Sequence, residues 1–520
     1  MHKTTSVNEM TSTPRLWITG MGSQYPAHLL RPDDFDAFAA RFYDVGNLGI
    51  RRLLKNNRTT GIKTRSSVST YDAGFANDAA PPSIADMDAL FRSVGVDMTV
   101  KACCKAIEDW GGVPSDITHT VAVTCTNQGN PGYDFLVNER LGLSHSVDRT
   151  LLHGVGCAGG LAIMRTAAQI AHGATVRGRP ARILCFACEL STPNVRYELD
   201  AAANCVDLSQ LCIAGVLFSD AAAAFVLCND LGMQEGVKPV FELLDWDNAL
   251  IPETLNDLTF HAEPPGYRMM LSRDVPRHTV AAVCPMFESL LQPFNARRPC
   301  DKLNVTDFAW ALHPGGQLII EKVKQAMGLS EGQLWATCDT YKTRGNSSSP
   351  SVLVVMDKLR YGKSEKDFVV ATAFGPGLAI EMNVRDKLSL FAQSHTFLGA
   401  RSLARSLSKS RKAIRHAREF LLLTAGLGLG LLRAASFSVM VNRDRDFLQS
   451  KTKSDSYDPV VWPGYQNRVF RTSSPIVPTA AWSHLCAGYP SLSLSHTFTS
   501  QLRQSQQRSL MPTSRLTRMR

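Results

Sequence analysis

Hydrophobic and polar positions along this chain fall into two alternating rhythms. "RLWITGMGSQYP" opens on a dense apolar run and ends in a glycine turn, which predicts a buried strand beginning near Arg15. "MTVKACCKAIEDWG" spaces its apolar residues three and four apart and stops at Gly111, which predicts a helix. "THTVAVTCTNQGNPG" reads as a β-rich run ending in turn residues, and "HGVGCAGGLAIMRTAAQIAHG" as a glycine-flanked cysteine leading into an Ala-rich helix. "RPARILCFACEL" and "AAAAFVLCND" follow as strand-like runs on either side of a helical stretch. Strands that are apolar throughout, alternating with helices, argue for an α/β fold.

From about Phe241 to Arg385 the rhythm returns, through "KPVFELLDWDNAL", "DFAWALHPGG", "SPSVLVVMDKLR" and "KDFVVATAFGPGLAIEMNV". The repetition predicts a duplicated architecture with similar halves at residues 15–236 and 237–385, a loose N-terminus at 1–14, and one site shared between the halves. From residue 386 to 520 the texture becomes basic and Ser/Arg-rich, expected to be a poorly ordered extension without a part in the chemistry. Its uninterrupted apolar run, Phe420 to Leu432, is about 13 residues long, short of the roughly 20 that a spanning helix needs. A weak membrane-associating segment is the other reading of that stretch.

Charge follows the same division. The 520 residues carry a net charge of +10, yet residues 1–384 hold 35 Lys and Arg against 40 Asp and Glu, while residues 385–520 hold 21 against 6. The basic character therefore belongs to the extension, which lacks interleaved aromatics and any zinc or helix-turn-helix pattern, and no nucleic-acid partner is expected. The 13 cysteines lie mostly inside apolar runs, without disulfide-scaffold spacing, which points to a reducing compartment. "CFAC" (Cys185, Cys188) has no second pair at a metal-site interval, so both read as buried thiols and no metal is expected. "MHKTTSVNEMTSTPRLWITG" has no apolar leader of signal-peptide length, and a cytoplasmic location is the expectation.

Three residues change the picture. Cys157 sits where a helix begins, and unpaired N–H groups with a positive dipole end stabilise a thiolate there. Taken alone it leans towards a structural thiol. His313 stands where an apolar run meets Pro-Gly-Gly, and Asn346 stands in a Gly-Asn-Ser turn before another apolar run. Together, each at a Gly-rich junction beside a buried element, they supply a nucleophile, a base and donors for a developing oxyanion, the set that acyl transfer requires.

"GVGCAGG", "ALHPGG", "RGNSSSPSV" and "AFGPG" resemble, in order and at matching intervals, the signature stretches of the type III polyketide synthases, the chalcone-synthase-like branch of the thiolase superfamily. The resemblance runs from about Arg15 to Val384 and is nearest to fungal members. It implies a layered α-β-α-β-α thiolase fold, normally a homodimer, acting on coenzyme A thioesters without a cofactor or an acyl carrier protein. It implies that Cys157 takes an acyl-CoA starter as a thioester, that His313 keeps that cysteine ionised, and that His313 and Asn346 bind malonyl-CoA for decarboxylation. Medium or long fatty acyl starters and alkylpyrone or alkylresorcinol products are the expectation.

Weaker correspondences follow residue by residue. The resemblance implies that Phe218 and Met269 separate a coenzyme A tunnel from the cavity, with Met269 where the family carries a second phenylalanine. It implies that Arg52 and Lys55 meet coenzyme A phosphates, with Thr59 where plant members often have a third lysine. Gly375, Pro376 and Gly377 of "AFGPG" are expected at the substrate site. A β-ketoacyl synthase III, which also uses Cys, His and Asn, and a non-catalytic acyl-CoA-binding homologue are the alternatives. "HPGG" stands where the former usually has Gln-Ala-Asn after its histidine.

Overall fold

The computed structural model describes residues 14–387 apart from 79, 299 and 363–365; the expectations for residues 1–13 and for the extension from 388 onward, including 420–432, lie outside the described residues. Thirteen strands are described: β1 (Leu16–Gln24), β2 (His28–Leu30), β3 (Arg65–Ser67), β4 (His119–Val123), β5 (Asp148–Leu152), β6 (Arg182–Glu189), β7 (Ala221–Asn229), β8 (Phe241–Leu250), β9 (Leu258–Glu263), β10 (Gly266–Leu271), β11 (Phe308–Leu312), β12 (Phe368–Gly375) and β13 (Ala379–Lys387). Nine of them form one sheet in the order β11-β12-β13-β8-β1-β7-β6-β4-β5, and β2/β3 and β9/β10 are two-stranded ribbons.

The sheet repeats itself. In the first half β4 pairs parallel with β6, β6 antiparallel with β7, and β7 antiparallel with β1. In the second half β11 pairs parallel with β12, β12 antiparallel with β13, and β13 antiparallel with β8. The halves join where residues 16–18 of β1 pair with residues 241–243 of β8.

Two helices, Gly159–Val176 and Ser349–Tyr361, lie between the halves and share one core with the inward faces of both. The alternation along each strand assigns the other faces: Ala222, Ala224 and Val226 of β7 pack with the Val96–Trp110 helix, and Phe308, Trp310 and Leu312 of β11 with the helices Val275–Ala296 and Gln317–Met327. The two halves of the one sheet therefore form separate layers, and the order runs helix, half-sheet, helix, half-sheet, helix, as the resemblance implies. Cys185 faces the central core and Cys188 the outer one, so the "CFAC" pair points to opposite sides of β6. Among the described residues no helix is long and apolar enough to cross a membrane.

The central helices approach closely because the sequence thins them at the crossing. A Cβ at Gly160 would lie 2.4 Å from the Ser349 carbonyl oxygen and 2.8 Å from Val352 Cγ1. The Ser349–Tyr361 helix is valine-rich, yet it starts with Pro350 in its first turn and is buried from Ser349 to Met356. Burial between two sheet faces overrides the β preference of its valines. The reverse holds for "AAAA" of β7, where alanine forms a strand with helices on both faces.

Candidate active site

Cys157 sits in a tight turn, Gly156–Ala158, that runs directly into the Gly159–Val176 helix. Gly156 has φ +45°, and a Cβ there would lie 2.7 Å from Pro376, so glycine lets the loop after β12 close over the turn. The thiol is partly exposed to an interior cavity of about 110 Å³ that it shares with Phe218, Met269, Ser348 and Pro376. It donates a hydrogen bond to the Ser348 hydroxyl at 3.5 Å. Burial pushes its pKa up to about 11, against the lowering effect of Ser348 and Asn346.

A second cavity, of about 500 Å³, shares no lining residue with the first and is lined by Arg52, Leu217, Arg273 and residues 315–319. Asn346 and the Leu217–Phe218 segment connect the two linings. Leu217 faces the second cavity and Phe218 the first, and Asn346 pairs with this segment through its own N–H to Leu217 O at 3.1 Å and from Ser219 N–H to its carbonyl at 2.8 Å. The Asn346 carboxamide accepts from the Ser348 backbone N–H at 2.8 Å and donates to the Gly315 carbonyl at 3.4 Å, touching the rims of both cavities.

His313 continues β11 by donating its backbone N–H to Thr372 O at 2.8 Å, and its ring lies against Gly315. It is buried, and neither ring nitrogen has a hydrogen-bond partner among the described residues. Burial alone pushes its pKa down to about 3. The resemblance implies that this imidazole keeps Cys157 ionised. In the structure the hydrogen-bond partners of the thiol are Ser348 and Asn346, and burial favours the neutral form of both thiol and imidazole. A buried ion pair without compensating hydrogen bonds is costly, which is the physical reason.

The weaker correspondences divide. Phe218 and Met269, the latter on β10 opposite Phe260, both line the Cys157 cavity. Arg52 lines the second cavity, as Asn56 and Thr59 do, one and two turns further along the Leu48–Thr59 helix. Lys55 does not line that cavity; together with Arg51, Arg52 and Arg58 it lines an adjoining surface hollow, so Arg52 faces both. Pro376 lines the Cys157 cavity, whereas Gly375 and Gly377 do not. Gly375 is a packing glycine: a Cβ there would meet the Val155 carbonyl at 2.4 Å. Gly377 turns the chain into β13 at φ +70° and donates to Leu258 O at 2.9 Å.

Residues that sequence reading passes over complete the site. Ser348 bridges Cys157 and, at 3.8 Å, the Cys125 thiol, from a backbone with φ +56°. Glu189, a lone carboxylate ending the apolar strand β6, accepts from Thr124 Oγ1, Thr126 Oγ1, Ser349 Oγ and the backbone of Cys125 and Thr126. It thereby ties the first half of the fold to the turn that carries Asn346. Arg65 spends its guanidinium on Phe218 O at 2.6 Å and Tyr71 Oη at 2.8 Å, holding the Phe218 backbone beside the cavity. The acid in "CFACEL" was a visible signal; nothing local marked Arg65. Among the described residues no group of three or more His, Cys, Asp or Glu could hold a metal.

Cys157 at a helix start, Asn346 joining the linings of two cavities and a duplicated layered sheet together make up the site. Family models for the N-terminal and C-terminal domains of chalcone and stilbene synthases match residues 58–231 and 242–388. The chain belongs to this family, the type III polyketide synthases, whose members are acyltransferases. It is 54% identical over 380 residues to the type III polyketide synthase pspB of Penicillium soppii, covering 71% of this chain and 95% of pspB. It is 35% identical over 370 residues to the acylalkylpyrone synthase csyB of Aspergillus oryzae, covering 70% and 92% of the two chains. The crystal structure of a type III pentaketide synthase from Neurospora crassa aligns with a TM-score of 0.69 at 39% identity, covering 72% of this chain and all of that one.

Proposed function

We propose that this chain loads a medium or long fatty acyl group from coenzyme A onto Cys157, extends it with malonyl-CoA, and cyclises the product to an alkylpyrone or alkylresorcinol. The observation that carries this reading is Asn346, whose carboxamide bonds both to Ser348 of the Cys157 cavity and to Gly315 of the larger cavity lined by Arg52 and Arg273. The acylalkylpyrone synthase csyB and the N. crassa pentaketide synthase support the product class. The enzyme works as a homodimer in the cytoplasm, with the nucleophile supplied by residues 15–236 and the base and donor by residues 237–385.

In the first step the thiol passes its proton to the unpartnered His313 imidazole, sulfur attacks the starter carbonyl, and the coenzyme A thiolate departs with that proton. In the second, the thioester carbonyl of malonyl-CoA sits against His313 and the free N–H of the Asn346 carboxamide. The bond to the carboxylate breaks, carbon dioxide leaves, and both donors hold the enolate oxygen. The enolate carbon then attacks the acyl carbonyl on Cys157, expelling sulfur and giving a β-ketoacyl-CoA two carbons longer. Arg52 and Arg273 provide charge for coenzyme A phosphates at the second cavity.

The Cys157 cavity, about 110 Å³, is smaller than the roughly 300–1,000 Å³ of ordinary ligand sites. A long chain enters by displacing its walls, and Met269, unbranched and flexible, is the side chain suited to yield. Purified protein incubated with malonyl-CoA and acyl-CoAs from acetyl to stearoyl, with products read by mass, tests the proposal. Extension of fatty acyl starters supports it; a chain that binds acyl-CoA without releasing carbon dioxide refutes it.

A further inference from the structure

One carboxyl group in the Cys157 cavity has no part in the steps above. Glu198, on the helix Val195–Ala203, lines the cavity together with Arg65, Ala214 and Gly215 and is 4% exposed. Room is made for it by Gly215, where a Cβ would lie 2.8 Å from Glu198 Cβ. One of its oxygens accepts from Asn194 Nδ2 at 3.2 Å, and its other neighbour is the Cys212 thiol. Among the described residues no cation pairs with it. Arg65, in the same cavity, is committed to Phe218 O and Tyr71 Oη. Burial raises its pKa to about 8, so at neutral pH it is a carboxylic acid, able to donate. The other titratable groups on the cavity wall are Cys125, His153, Cys157 and Tyr267.

The chemistry of the growing chain gives such a group a use. A fatty acyl starter offers no acceptor beyond its thioester carbonyl, whereas each extension adds a ketone oxygen that can only accept. Much of the cavity is apolar, through Phe218, Leu258, Phe260, Met269 and Pro376, so a ketone buried there needs a donor. We propose that Glu198 is a positioning residue that sets how far the chain is extended, its carboxyl O–H donating to a ketone oxygen of the poly-β-keto chain built from Cys157. The inference rests on the cavity being the place of extension.

The test compares wild type, E198Q and E198A with one fatty acyl-CoA and malonyl-CoA from about pH 6.5 to 9.5, reading the distribution of product lengths by mass. E198A lowers the share of the most extended product by about two- to tenfold, the factor that one uncharged hydrogen bond supplies. E198Q keeps that share, because its amide N–H still donates. In wild type the share declines as the pH passes about 8 and the carboxyl loses its proton, and in E198Q it stays flat. Identical pH profiles for wild type and E198Q, or a wild-type distribution in folded E198A, overturn the inference. Should E198A fail to fold, the wild-type and E198Q profiles decide alone. A wild type that extends no starter overturns both this inference and the functional reading; one that extends normally while no variant or pH moves the distribution overturns this inference only.

Discussion

The Cys157 thiol donates to the Ser348 hydroxyl at 3.5 Å, and Ser348 holds that hydroxyl in place from a left-handed backbone, φ +56° and ψ −127°. A side chain in that conformation costs about 1–3 kcal/mol, offset here by the surrounding hydrogen bonds: Ser348 N–H to Asn346 Oδ1, and Ser351 N–H to the Ser348 carbonyl at 3.1 Å. Replacing Ser348 by alanine removes the hydroxyl and leaves the strain, while glycine removes both. Ser348→Gly is expected to unfold at a higher temperature than Ser348→Ala, by about 1 kcal/mol of stability. Equal melting of the two variants in a thermal scan would show that the conformation stores no strain.

His313 and Cys157 give a pH signature. The imidazole is neutral down to about pH 3 and the thiol neutral up to about pH 11 when each follows its own burial. The proposed transfer of the thiol proton to His313 predicts that His313→Ala labels Cys157 with iodoacetamide more slowly than wild type at pH 7, while labelling in both climbs with each pH unit toward 11. Peptide-resolved labelling rates across pH check this, and superimposable profiles for wild type and variant would remove His313 from the role of base.

Glu189 is the hub on which the two halves meet near the nucleophile. Glu189→Ala leaves the hydroxyls of Thr124, Thr126 and Ser349 and two backbone N–H groups without their acceptor inside the core. A loss of about 3 kcal/mol or more of stability is expected, together with loss of activity, because Ser349 adjoins Ser348. Denaturant unfolding measures it, and a change under 1 kcal/mol would mean that water replaces the carboxylate.

The central crossing is tested by one methyl group. Gly160→Ala places a carbon 2.4 Å from the Ser349 carbonyl, an atom of helix backbone that cannot swing aside. Overpacking of this kind costs about 1–3 kcal/mol, and a drop in melting temperature with loss of Cys157 acylation is expected. A stable, active variant would show that the two helices can part.

What could be read from sequence divides by the range of the interaction involved. The strands at 182–189, 221–229 and 308–312 and the helix 96–110 follow from local periodicity, and the Cys157, His313 and Asn346 stretches are marked by glycines the backbone needs. A basic run does not say which helical face meets which cavity: Arg52 lines two, one with Asn56 and Thr59 and the other with Lys55. Gly375 and Gly377 do not line the Cys157 cavity, and the structure shows them in backbone packing and a turn. Arg65, Glu189 and Glu198 act through partners more than one hundred residues distant or through burial alone, as with Arg65 and Phe218, which no local pattern records.

The central claim is that Cys157 carries the acyl chain. Protein incubated with a fatty acyl-CoA alone, then digested and mapped by mass spectrometry, is expected to bear one acyl thioester on the peptide containing Cys157, released on adding malonyl-CoA and absent in Cys157→Ala. An acyl adduct on Cys125 or another cysteine, persisting in Cys157→Ala and consumed by malonyl-CoA, would contradict the account.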